Sequence, residues 1–197
     1  MTHEDLRDRL VRATADMLLT IEPSELSLRA VARELGISSG APYHHFRDKQ
    51  ELLAAVALDG WERMNAALQA SVGAEPEVAL RAMARAYIGF ALERPSWFRV
   101  MFLPELKEPV RFASLHEASS RALFGLVALV AVASGRSPDD PELLGRVVAA
   151  WSTVHGFAVL HNAGVLAGKI ELPESTLVDA VAEGAARAAL GQTTGGR

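Results

Sequence analysis

Apolar residues recur three and four apart along almost the whole chain, and no stretch alternates for long enough to make a strand. The pattern predicts an all-α protein. Its first helix runs from about Glu4 to Ile21, with Leu6, Leu10, Ala13, Met17 and Ile21 on one stripe, and stops at Glu22-Pro23. Ser27 can cap a short helix, Leu28 to Leu35, whose apolar side is Leu28, Val31, Ala32 and Leu35; Gly36 follows, placed to close it. Ser38 or Ser39 can cap a second very short helix reaching His45 or Phe46, and Asp48 a third that continues to about Ala70. Pro42 then falls near the fourth helical position, at the loss of one early hydrogen bond.

Beyond Val72-Gly73-Ala74-Glu75-Pro76, alanine, valine and leucine dominate and charge thins out. This puts a domain boundary inside the long helix, near Trp61 to Met64, giving domains over 3–63 and 64–190 and a disordered tail over 191–197. Further helices are predicted over Glu77 to Glu93, Ser96 to Leu103, Val110 to Ser134, Pro141 to Ala167 and Pro173 to Leu190, with SGRSPDDP at 134–141 a loop. The 141–167 helix is apolar on two stripes. One carries Leu144, Val148, Trp151, His155, Ala158, Asn162 and Val165; the other carries Leu143, Val147, Ala150, Val154 and Phe157. A helix apolar around so much of its circumference should be buried on two sides, one its own core and the other a second subunit. The last helix offers Leu177, Val181, Gly184 and Ala188 in one row, small enough for close helix approach. With Leu143, Val147 and Val154 this row is the candidate interface of a homodimer built as a four-helix bundle.

Composition narrows the function. The 197 residues are half hydrophobic, enough for a sizeable core, and contain no cysteine, which excludes disulfides, thiolate metal sites and a cysteine nucleophile. The N-terminus MTHEDLRDRL is charged and lacks the apolar segment of a secretory signal, and the longest apolar run, Ala122 to Ala133, is too short to span a bilayer. A soluble cytoplasmic protein with no membrane partner is expected. The net charge of −4 argues against binding nucleic acid through the whole surface. Within residues 29–49, however, Arg29, Arg33, Arg47 and Lys49 face only Glu34 and Asp48, a local balance of +2.

That basic stretch coincides with two short helices joined by a glycine-centred turn, the helix-turn-helix arrangement, whose second helix enters the major groove of double-stranded DNA. The residue types fit. Gly40 and Ala41 are small enough for close approach, and Ala41 or Pro42 could touch a thymine methyl. Tyr43 and His44 can donate to phosphates, and Lys49 adds charge at the backbone. Ser27, Arg29, Ser38 and Ser39 complete the candidate DNA contacts. Adjacent histidines point to different sides of a helix, so His44 should face outward and His45 toward Phe46 and the core. Neither His44-His45 nor His155 and His161 has the i, i+4 spacing of helical metal ligands, and no metal or cofactor is expected.

The stretch SLRAVARELGISSGAPYHHFRDKQELL resembles the tetracycline-repressor-like (TetR) family of transcriptional regulators over about residues 3 to 63. That family usually carries Thr-Leu where this chain has Ala41-Pro42. Downstream, ERPSWFRVMF (93–102) and AWSTVHGFAVLHNAGVL (150–166) resemble the effector domain named for its Trp-His-Gly signature, here Trp151, His155 and Gly156. The resemblance implies an Ω-shaped homodimeric repressor whose C-terminal domain binds a small, largely apolar effector and so releases a palindromic operator. Phe90, Trp97, Met101, Phe102, Phe124, Trp151 and His155 are the candidate pocket. The rival reading is a small helical enzyme or ligand carrier using His155 in an apolar cavity, for which the chain supplies no paired base, nucleophile or metal cluster.

Overall fold

The computed structural model describes residues 5–70 and 75–192. The start of the first predicted helix at Glu4, most of the 72–76 break and residues 193–197 of the expected tail lie outside the described residues. Among the described residues the chain is all-helical: α1 (Leu6–Met17), α2 (Leu28–Glu34), a 3-10 turn (Ala41–His44), α3 (Lys49–Ala70), α4 (Pro76–Glu93), α5 (Pro95–Met101), a second short turn (Pro104–Leu106), α6 (Ala113–Ser134), α7 (Pro141–Asn162) and α8 (Glu174–Leu190).

These elements form two compact units, one of Met1–Arg63 with Arg94–Ser119, the other of Met64–Glu93 with Ser120–Arg197. The first therefore includes α5 and the start of α6, which the sequence assigns to the second domain. Named contacts explain the grouping. The Trp97 indole donates to Asp59 at 3.0 Å, Trp61 and Phe102 meet edge to face at 5.4 Å, and a Cβ added to Gly60 would lie 2.8 Å from the Met101 sulfur. The Arg99 guanidinium donates to the carbonyls of Leu18, the C-cap of α1, and of Ile21 in the turn that follows, at 2.5 and 3.0 Å.

Of the stripe read from the sequence α1 buries Leu10, together with Val11, Thr14 and Ala15, while Leu6, Ala13, Met17 and Ile21 are half-buried. Thr14 can replace an apolar residue there because its hydroxyl donates to the Leu10 carbonyl at 2.7 Å, four residues back. Ile21 lies beyond the helix, which ends at Met17.

In the second unit α4, α7 and α8 pack on one another. Of the two α7 stripes, the chain's own core takes Leu143, Val147, Ala150, Val154 and Phe157. Leu144 and Val148, on the other, are 42% and 57% exposed. Leu143, Val147 and Val154, expected between subunits, are thus enclosed within their own chain, where no second copy can reach them. On α8, Ala182, Ala185, Ala186 and Ala189 are buried, and the row Leu177, Val181, Gly184 and Ala188 stays half-exposed. α7 also stops at Asn162, short of Ala167. Gly164, at φ +68°, closes it with its N–H on the His161 carbonyl and the Val165 N–H on that of Leu160. The run Ala122–Ala133 belongs to a helix of 22 residues, and α6 and α7 are each long and apolar enough to cross a membrane by length and composition.

Candidate nucleic-acid interface

Ser27 caps α2, its Oγ accepting from the Ala30 N–H at 3.1 Å, which leaves the hydroxyl proton able to donate outward. At the other end Gly36 sits at φ +64°, where a side chain would be strained. Its N–H donates to the Arg33 carbonyl at 3.1 Å and the Ile37 N–H to that of Ala32 at 3.0 Å, the paired bonds that end a helix in a tight reversal. The next helical turn starts at Ala41, not after Ser38 or Ser39, and is 3-10 rather than α. Neither serine caps it. Pro42 stands in its first two positions, where the missing N–H has no helical partner to lose.

Ser38, Ser39, Gly40, Tyr43 and His44 are exposed, Ala41 is half-exposed, and His45 is half-buried with its ring 6.5 Å from that of Phe46. Pro42 is buried, and its carbonyl accepts from the Phe46 N–H at 2.9 Å. It therefore fastens the turn to the core and has no surface to offer a thymine methyl. Lys49 also differs from expectation. It is half-buried, and its Nζ donates to the carbonyls of Pro23 and Ser24 at 3.1 and 3.2 Å, so two of three ammonium donors hold the loop before α2.

Exposed charge lies instead on α2. Arg29 and Arg33 stand one helical turn apart, exposed and without an ion pair among the described residues. Arg33 contributes to the local charge balance but no motif singles it out; its spacing from Arg29 is the signal the sequence offers. Arg47 is also exposed, at 84% of its side chain, but Glu51 neutralises it at 2.5 Å.

The candidate effector-binding residues are divided between the units. Trp97, Met101 and Phe102 belong to the first, where Phe102 lies 5.2 Å from Phe98. Phe90, Phe124, Trp151 and His155 belong to the second, Phe90 buried and Phe124 65% exposed. There Tyr87, which no motif indicated, is the centre of a polar chain: the Trp151 indole N–H donates to its hydroxyl at 3.2 Å, and that hydroxyl lies 2.9 Å from His155 Nδ1. Burial pushes the Tyr87 phenol well above its usual range, with Trp151 partly offsetting it, and burial pushes the His155 imidazole down, so both stay neutral near pH 7. His161 instead meets Glu174 at 3.0 Å.

A capped short helix, a glycine reversal and a second turn presenting small, hydroxyl and imidazole groups beside two arginines free of ion pairs among the described residues define a helix-turn-helix DNA-binding protein. Residues 10–56 match the model of the bacterial regulatory proteins of the tetR family, and residues 80–187 that of the tetracyclin repressor-like C-terminal domain. The chain belongs to the TetR family of transcriptional regulators. The matching C-terminal description does not carry the Trp-His-Gly label.

Relatives agree. The HTH-type transcriptional regulator BetI of Escherichia coli (strain SE11) is 27% identical over 68% of this chain and 86% of its own length. A structure of a protein with unknown function from Rhodococcus sp. RHA1 is 31% identical, covers 96% of this chain and 95% of that one, and superposes with a TM-score of 0.76. The TetR family regulator PfmR of Thermus thermophilus shares the fold, with a TM-score of 0.69 at 21% identity over 93% of this chain and 97% of that one. The chain is a DNA-binding regulator, of a family that is not enzymatic, and such regulators bind operators and small effectors and act as dimers.

Proposed function

We propose that this chain is a homodimeric repressor that works in the cytoplasm, docks its Ala41–His44 turn in the major groove of each half of a palindromic operator, and leaves it on binding a small, largely apolar effector. The observation that carries the reading is that Arg29 and Arg33 of α2, and Tyr43 and His44 of the turn that packs on it, are all exposed. The arginines supply local charge for phosphates, so an acidic protein can still bind DNA. Ser27, Ser38 and Ser39 add hydroxyl donors, and Gly40 and Ala41 leave room for the groove.

The dimer is read from small residues. Gly145, Ala149, Ser152 and Gly156 follow one another on α7 at spacings of four, three and four, a face distinct from the buried one, and Leu177, Val181, Gly184 and Ala188 form a half-exposed row on α8. A Cβ added at Gly145, Gly156 or Gly184 would meet nothing within 4 Å. Glycine inside a helix costs about 1 kcal/mol against alanine, and nothing in the monomer accounts for it. Close approach of a second copy does. Trp151, Tyr87 and His155 supply the polar end of an effector site whose remainder is aromatic and aliphatic. The apolar sides of α6 and α7 are read as protein and effector contacts, not as membrane spans.

The test joins binding to expression. The protein should shift a palindromic fragment from beside its own gene, as a dimer, with an affinity that falls steeply as salt rises, and deleting the gene should raise expression from that promoter. Failure to bind any fragment at low salt would sink the operator reading, and expression that falls on deletion would make the protein an activator.

A further inference from the structure

We infer that Arg111 is a positioning residue for operator binding, holding the start of α3, and with it the Ala41–His44 turn, through Asp48 and Gln50. Arg111 lies between α5 and α6, more than sixty residues beyond the helix-turn-helix, yet in the same compact unit. Its Nη2 donates to Asp48 Oδ2 at 2.5 Å and its Nη1 to Gln50 Oε1 at 2.5 Å. The guanidinium carbon is 5.0 Å from the ring of Phe112, the next residue, which is buried and so roots the arginine in the core. A planar guanidinium on two acceptors fixes direction as well as distance, which a lysine ammonium does not.

Both acceptors stand where a small displacement matters. The second Asp48 oxygen accepts from the Glu51 N–H at 3.0 Å, so the carboxylate that caps α3 is also the one Arg111 grips. Only His45, Phe46 and Arg47 separate Asp48 from the 3-10 turn, and Phe46 is buried with its N–H on the Pro42 carbonyl. A shift of the first turn of α3 therefore reaches Tyr43 and His44 with little slack. Lys49 secures that same turn to the loop before α2, and Arg111 ties it to the segment before α6. Asp48 fits this role electrostatically: burial alone would raise its carboxyl, but the Glu51 amide and Arg111 outweigh burial and hold it below the usual range.

The test uses the full-length protein and a labelled duplex selected by the wild type from a randomised pool. Arg111→Ala should weaken binding by about fivefold per subunit, about 25-fold for the proposed homodimer, near the ceiling that a partly exposed ion pair in each subunit can impose on the population of the binding form. The salt slope should not change, because no phosphate contact is removed. Asp48→Asn keeps a capping side chain while discharging the pair, so it should lose about as much, and the double variant no more than either single. Arg111→Lys should not restore the loss, and circular dichroism should show all four variants folded. Unchanged affinity, additive losses, or a slope flatter by about one per subunit, the mark of a direct phosphate contact, would each overturn the assignment.

Discussion

Replacing Arg29 and Arg33 together by alanine tests the DNA-facing surface most directly. Both side chains are exposed, neither has an ion pair among the described residues, and they occupy one face of α2, the helix that in this arrangement crosses the phosphate backbone. Alanine is a stronger helix former than arginine, so the change should not unfold α2. Each phosphate contact contributes about 0.9 to the slope of log affinity against log salt, so two per subunit, or four in the proposed homodimer, contribute about 3.6. Between about 50 and about 200 mM salt the wild type should then lose roughly 100-fold more affinity than the double variant. Fluorescence anisotropy of a labelled operator duplex across a salt series measures this. Arg47→Ala is the internal control: that arginine is also exposed but already neutralised by Glu51, so its slope change should be much smaller. A double variant with the wild-type slope would mean that α2 does not lie along the phosphates.

Other expectations follow from the second unit and from the α5 segment. Leu143→Ala, at a site with no exposed surface, should cost about 2 to 5 kcal/mol in denaturant unfolding, whereas Leu144→Ala, one residue on and partly exposed, should cost far less; equal costs would mean the core face of α7 is misassigned. Tyr87→Phe strips the indole of its acceptor and His155 Nδ1 of its partner, and should destabilise by about 1 to 3 kcal/mol in the same assay. Ser96 is buried and its hydroxyl has no partner among the described residues, so Ser96→Ala should be neutral or stabilising, and a clear loss of stability would point to a hydrogen bond there. Burial lowers the His155 pKa from 6.5, so below that pH the unfolded chain takes up a proton that folded His155 refuses. Stability should therefore fall as pH drops from 6.5 toward the lower folded value, and His155→Gln should flatten that part of the profile in unfolding midpoints.

The helix-turn-helix could be read in the sequence because its signals are local. A serine cap acts three residues away, a reversal glycine acts on its own backbone, and Asp48 caps the helix that begins beside it. Where local signals compete, the sequence is less decisive. Ser38 and Ser39 are good capping residues, yet the turn starts at Ala41, because Pro42 takes an early position and buries its ring. Lys49 reads as a phosphate contact from its type and place, and only the path of the chain brings the Pro23 and Ser24 carbonyls to its ammonium. Arg111 and Tyr87 were beyond reach for a related reason: their partners lie 61 to 68 residues away, and nothing in their own surroundings marks them.

α7 marks the limit of periodicity more sharply. The spacing of apolar residues separates its two stripes, but an angle around a helix axis carries no reference to what lies outside. Both stripes contain a leucine and valines at matching intervals, so hydrophobicity cannot choose between Leu143 and Leu144. What breaks the tie is chemistry across the chain. The outer stripe holds Trp151 and His155, whose polar atoms need partners if they are to leave water, and Tyr87 of α4 supplies one hydroxyl for both. That places the Trp–His flank at the edge of the core, half-buried, while Leu143, Val147 and Val154 fill the core itself. The face left over is the small one, Gly145, Ala149, Ser152 and Gly156, so the proposed dimer contact moves from the bulky residues of α7 to its glycines. In that arrangement the proposed subunit contact and His155, the proposed effector contact, occupy separate sides of one helix, and a tilt of α7 on effector binding would be felt directly by the second subunit.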